Sequence, residues 1–264
     1  MRIGNAILVV EDCVFIGNGI TSGGVLRTWG SSYSSLRFVR CDFSENAGMN
    51  GGVLYTSRGK VVFESCMFRN NTSLNGGVAF FELGELSFLD CVITGNTTAS
   101  HGRGGVVRAH HSDVLVESSL IAGNQAGGAS VFDILGMSNL TLVSSTLVEN
   151  SSFTYNMGAI FLVGASSTID NCILWNDEEY EIHFETQEAL AEVSCSNVHG
   201  GWVGDMNLNE DPLFCLPGDG DYYLRSDSPC APENNHCGQL MGVLPVACET
   251  EVSTTSWSIL KSHY

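Results

Sequence analysis

Cys66-Met67-Phe68-Arg69-Asn70-Asn71, followed by Gly76-Gly77-Val78-Ala79, decides the fold because it recurs. The same cysteine, large apolar residue and asparagine stand at 13, 15 and 18, at 41, 43 and 46, and at 91, 93 and 96. Serine replaces cysteine at Ser119 and Ser145, and Cys172 and Cys195 extend the series in weaker form. Successive anchors lie 23 to 28 residues apart, with a mean of 26. Glycine pairs follow at 23–24, 51–52, 76–77, 104–105 and 127–128, with Met157-Gly158 as a worn copy. A fixed period of this length marks a stacked repeat.

Aligned on the anchor, three columns are apolar. They are Leu8, Leu36, Val61, Leu86, Val114, Leu140 and Leu190 five residues before it, with Ser167 the exception. Three before it stand Val10, Phe38, Phe63, Phe88, Val116, Leu142 and Ile169, with Glu192 the exception. Two after it, Phe15 through Leu174 are apolar and Asn197 is not. The alternation is that of a strand with one buried face. Residues two before the anchor alternate acidic with apolar from Glu11 to Val193, which keeps like charges off adjacent rungs. Three short strands in each period of about 26 residues, with no helical pattern between them, describe an all-β parallel β-helix of about eight coils.

In such a stack Cys13, Cys41, Cys66 and Cys91 form a column of small buried side chains, and serine at two copies fits the same corner. Asn18, Asn46, Asn71, Asn96, Asn124 and Asn150 form a second column, in which amides can hydrogen-bond from coil to coil.

Glycine-Glycine-[Val/Ala] alternating with Phe-x-x-Asn resembles the repeat of bacterial polymorphic outer-membrane proteins, and more broadly bacterial right-handed β-helix proteins, over residues 6–200. The resemblance implies a right-handed coil and a secreted or cell-surface stalk, often adhesive, without a cofactor. Asp211-Pro212-Leu213-Phe214, Gly220-Asp221-Tyr222-Tyr223-Leu224 and Ser228-Pro229-Cys230 are similar to the closing segment of secreted β-helix proteins. This divides the chain into repeats over 1–200, a C-terminal cap over 201–248 that hides the last strand edge, and a linker or tail over 249–264. Cys215, Cys230, Cys237 and Cys248 lie outside the repeat and allow two disulfides in three connectivities. Cys230–Cys237 with Cys215–Cys248 is the favoured one.

Acidic residues outnumber basic ones 29 to 11 in the 264 residues, for a net charge of −18, which excludes nucleic acid as a partner class. Lysine occurs only at 60 and 261, so no polybasic segment addresses an anionic membrane. No apolar run approaches the ~20 residues of a spanning helix, so direct membrane insertion is not expected. No export signal is visible. Leu8 and Val10 already hold inward positions, so the first coil begins without a cap and upstream sequence is expected.

For function, the expected class is a non-catalytic surface module whose partner is a polysaccharide or a host or cell-surface protein. The alternative is a carbohydrate-active lyase or hydrolase with catalytic coils partly outside this chain. The candidate sugar-binding column is Arg27, Tyr55, Phe80 and Arg108, which would make a strip of aromatic and cationic groups. Asp205, Asn207, Asn209 and Asp211 place oxygens at alternate positions, as in a weak Ca²⁺ loop. Yet Glu210 and Leu216 replace the glycine and glutamate such a loop requires. Asp12 and Arg40 fall on neighbouring coils as a surface ion pair, and the acidic run Asp177–Glu181 reads as a solvated loop.

Overall fold

Alternating apolar residues within each coil make short strands, and equivalent strands stack in parallel. The computed structural model describes residues 2–3, 7–20, 22–28, 34–155 and 157–248; the tail expected at 249–264 lies outside them. Three parallel sheets of fourteen, eight and six strands form the walls of a β-solenoid, and the eight rungs of the second wall give seven full turns. The long strands Ala79–Leu89 and Val107–Glu117 run through both halves of the first wall. Their in-register pairing, Leu86 on Val114 and Phe88 on Val116, carries the inward columns from coil to coil.

Phenylalanines fill the core as two ladders. Phe15, Phe43 and Phe68 stack with centroids 4.9 and 5.0 Å apart, and Phe38, Phe63 and Phe88 at 5.1 and 5.4 Å. The ladders meet edge to face, with Phe63 and Phe68 4.9 Å apart, so the rung spacing of about 4.7–4.9 Å matches the spacing aromatic rings prefer.

The backbone turns the same corner in every coil. Asp12, Arg40, Ser65, Asp90, Ser118, Ser144, Asn171 and Cys195 all have φ between 46° and 58°. This column corrects the sequence alignment of the last coil. Its anchor is Ser196, not Cys195: the Cys172 N–H donates to Ser196 Oγ at 3.0 Å, as the Cys91 N–H does to Ser119 Oγ. Ser167 then stacks on Ala191, Ile169 on Val193 and Leu174 on Val198, while Leu190 and Glu192 are exposed. A slip of one residue moves every side chain to the other face, which is why the exceptions Glu192 and Asn197 fell in the last coil, whereas Ser167 is a true polar member of the inward column. A second correction concerns the glycine pair at 127–128. Gly24, Gly52, Gly77 and Gly105 are followed in the stack by Ser130 and Gly158, because Val107 pairs with Phe132 and Phe132 with Ile160. Glycine prevails there because a Cβ on Gly77 would lie 2.0 Å from the Gly105 carbonyl oxygen.

The cap has two jobs. Its first part extends the stack: the Cys195 N–H donates to Asp205 O at 2.9 Å and the Leu208 N–H to Ser196 O at 2.8 Å. The rest folds back along the outer face of the second wall. There Phe214, Tyr222, Leu224, Cys230 and Met241 bury a second core against Val92, Leu120, Ala122, Val148 and Ile173. Cys215 pairs with Cys248, but Cys237 pairs with Cys195, across a Cα separation of 5.9 Å. Cys230 is a free, fully buried thiol whose sulfur accepts from Asn197 Nδ2. The expected Cys230–Cys237 bridge fails because the one-residue shift turns Cys195 outward at the corner, where the cap passes. Non-reducing peptide mapping should yield linked peptides containing Cys195 with Cys237 and Cys215 with Cys248, and free thiols at the other six cysteines; a Cys230–Cys237 peptide would refute this arrangement.

Candidate functional site

The residue three after the second glycine of each coil lies between two inward side chains, so strand alternation points it outward. Pairing joins Arg27, Tyr55, Phe80, Arg108, Asp133, Phe161 and His183 into one continuous column on the first wall. At rung spacing its six steps extend about 29 Å along the axis. Four of these residues are the expected strip. Asp133 was missed because Gly127-Gly128 sets the count two residues early, which breaks the column before Phe161, three residues after Gly158, and His183, whose coil has no glycine pair. The apolar alternation of Val131, Phe132 and Ile134 against Val106, Val107 and Ala109 carries the correct alignment.

The column is ordered by its own contacts. The Arg27 guanidinium lies 5.4 Å from the Tyr55 ring centre and that of Arg108 5.9 Å from Phe80. Tyr55 and Phe80 are 5.7 Å apart, and Phe161 stacks on His183 at 5.6 Å. Arg103, from the longer loop beside the wall, sits 5.6 Å from Phe161. Such cation–π contacts hold guanidinium groups without removing their N–H donors. Arg108 Nη1 donates to Asn75 Oδ1 at 2.7 Å, and the Tyr55 hydroxyl donates to Glu82 Oε2 at 2.9 Å. Burial, with help from Glu82, raises the Tyr55 phenol above its ordinary value.

Asp133 is the least satisfied group. It is fully buried and its Oδ2 is 3.1 Å from Arg108 Nε, yet neither oxygen has an aligned hydrogen bond among the described residues. The contact is an ion pair whose geometry leaves acceptor capacity unused. Burial pushes the carboxyl up to about 6, against the pull of Arg108 and Arg103, and Glu185 adds to the rise. Arg27 Nε is likewise buried without an acceptor among the described residues. The half-buried faces of Tyr55 and Phe80, beside the ordered guanidinium groups of Arg27 and Arg108, suit a ligand with rings and hydroxyl groups, whereas Asp133 and Phe161 are buried further along the line.

The other sequence candidates have structural work. Asn207 Oδ1 accepts from the Ser196 N–H at 3.1 Å and its Nδ2 donates to Val193 O at 2.9 Å, so it takes the anchor's place above the last coil. Asn209 Oδ1 accepts from the Gly200 N–H and Asp211 Oδ1 from the Leu213 N–H. Three of the four proposed Ca²⁺ residues thus direct side-chain oxygens at backbone N–H groups. Arg40 and Asp12 form the expected ion pair, bidentate at 2.7 and 2.8 Å on the exposed corner.

The acidic run is a solvated loop only in part, at Asp177, Glu179 and Tyr180. Glu178 and Glu181 are buried, and Glu181 closes the asparagine ladder. Each ladder asparagine from Asn18 to Asn150 donates through Nδ2 and N to the Oδ1 of the next, and Asn176 is a seventh member. Asn176 then donates to the two Glu181 carboxylate oxygens at 2.7 and 2.6 Å. Asn176 escaped the sequence pattern because its coil is one residue shorter between anchor and amide. In the anchor column, burial pushes the Cys66 and Cys172 thiols up to about 12 and so disfavours their reactive thiolate form.

Neither a family model, nor a curated protein, nor a solved structure matches the chain.

Proposed function

We propose that the chain is a non-catalytic, secreted or cell-surface β-solenoid module, stalk- or adhesin-like, that takes polysaccharide along the column from Arg27 to His183. The observation that carries this reading is the unbroken seven-rung strip of arginine, aromatic and unmatched polar groups. The two disulfides favour an oxidising compartment. The repeat's likeness to bacterial polymorphic outer-membrane proteins supports reading that compartment as a bacterial surface. No cofactor enters this reading. A second reading, a carbohydrate-active enzyme, draws on Asp133, whose carboxyl at about 6 beside Arg108 has the character of a general acid.

A panel of neutral and acidic polysaccharides, with Ca²⁺ and with chelator, separates the two. Binding without turnover is expected, weakened at least tenfold by Phe80→Ala and unchanged by chelation. Release of reducing or unsaturated ends, abolished by Asp133→Asn, would replace this reading with the enzyme. Absence of both binding and turnover would remove the ligand face and leave a structural stalk.

A further inference from the structure

On a different wall, the returning cap does not seal against the corner column. Between them lies a cleft of about 410 Å³, lined by Asp90, Ser118, Ser144 and Asn171 from four consecutive coils and by Gln239, Leu240, Gly242 and Val243 from the cap. The volume falls within the ~300–1,000 Å³ of small-molecule sites. The four corner residues share the left-handed backbone conformation, with φ of 52°, 50°, 46° and 58°, so they repeat one geometry at each rung. Three steps at strand spacing make a polar floor about 14 Å long.

The cleft is held open by bonds at one end. The Gly242 N–H donates to Asn171 O at 2.9 Å and the Val243 N–H to Thr146 Oγ1 at 3.1 Å. A Cβ on Gly242 would come within 2.5 Å of Thr146 Oγ1, so the cap backbone sits directly on the wall there, an approach that glycine permits. Cys195–Cys237 ties the cap to the last coil two residues before Gln239. The walls are therefore a pre-formed pair, not a gap between mobile parts.

Its polar groups are also incompletely used. Asn171 Nδ2 donates to Ser144 Oγ at 3.1 Å, which leaves the Ser144 hydroxyl hydrogen available, and Asn171 Oδ1 has no donor among the described residues. The lining offers hydroxyl, amide and a single carboxylate, with no cation among its residues, so its charge disfavours an anion relative to a neutral ligand. Leu240 and Val243 add an apolar lip opposite that floor. One polar and one apolar side is the complement of a sugar ring, whose hydroxyl edge hydrogen-bonds while its C–H face packs.

We propose that this cleft is a binding site for a neutral, hydroxyl-rich ring, one to three sugar units at a chain end. It stands independently of the strip on the first wall, because the two share no residue.

The test uses the whole chain with glucose, galactose, mannose, N-acetylglucosamine and their short neutral oligomers. Saturable shifts of the Gln239, Gly242 and Val243 amide signals in NMR are expected with at least one probe, and none with glucuronate. Ser144→Ala with Ser118→Ala should weaken that binding at least tenfold, whereas Met137→Ala, at an exposed residue outside both the strip and the cleft, should leave it unchanged. The wild-type shifts make the proposal testable even where a variant folds poorly. No saturable shift with any probe at 20 mM, or binding lost in Phe80→Ala but kept in the serine variant, would overturn it.

Discussion

Asn96→Ala is expected to destabilise the solenoid by about 4 kcal/mol, more than its small change in volume suggests. Asn96 is fully buried at the middle of the ladder. Its Oδ1 accepts from both the Asn71 N–H at 3.0 Å and Asn71 Nδ2 at 2.8 Å, and its Nδ2 donates to Asn124 Oδ1 at 2.9 Å and to Phe68 O at 3.1 Å. Alanine removes these bonds and leaves two donors and an acceptor buried, each costing about 1–3 kcal/mol. Asn96→Asp should be at least as damaging near neutral pH, since a carboxylate cannot donate onward and carries a buried charge. Denaturant unfolding followed by circular dichroism measures both. A loss below about 1 kcal/mol for alanine would mean that the ladder is ornamental and the phenylalanine columns alone hold the coils together.

Thermal stability should rise as pH falls from 8 towards 5, opposite to the acid lability usual for carboxylate-rich proteins. Burial raises Glu181 to about 7 and Asp133 to about 6. For a carboxyl whose folded value lies above its unfolded value, protonation favours the folded state. The contribution is complete below the unfolded value and is lost as pH rises through the folded one. Glu181 therefore acts between about pH 4.5 and 7, and Asp133 between about pH 3.8 and 6. Each shift corresponds to about 3 kcal/mol. Glu178, raised mainly by burial, acts in the same direction, and the net charge of −18 adds repulsion at higher pH. Midpoints measured at half-unit steps from pH 4.5 to 8 should fall with pH, and Asp133→Asn should flatten the slope above pH 4. A midpoint that rises with pH would show that other carboxylates, ionised and paired, outweigh these buried ones.

The coil architecture was readable because its cause is local and repeated: an apolar residue missing from one copy is restored by seven others. The errors have equally local causes. Cys195 and Ser196 are adjacent and both suit an anchor, so residue type cannot choose between them; only the flanking Ala191 and Val193 can. Gly127-Gly128 resembles the pair elsewhere, while the position that matters holds Ser130. The cap does not repeat, so nothing in its sequence says that it returns along the second wall. Glu181 is harder still, because an acidic run reads as solvated until this buried member is seen to receive two hydrogen bonds. The strip was half visible, since the same shift that hid Ser130 hid Asp133 behind it.

The asparagine ladder also gives the stack a direction. Columns of phenylalanine attract a neighbouring coil equally from either side, but along the ladder each Oδ1 accepts from the coil before it and each backbone N–H donates to the Oδ1 of the coil after it. Aligned amide dipoles sum along the axis as peptide dipoles do in a helix, and Glu181 lies at the donor end, where both of its carboxyl oxygens accept from Asn176. A coil docking upside down, or displaced by one residue, would meet donor with donor. The molecule thus carries a vectorial test of correct assembly inside its own wall, and identical hydrophobic rungs remain distinguishable to the folding chain.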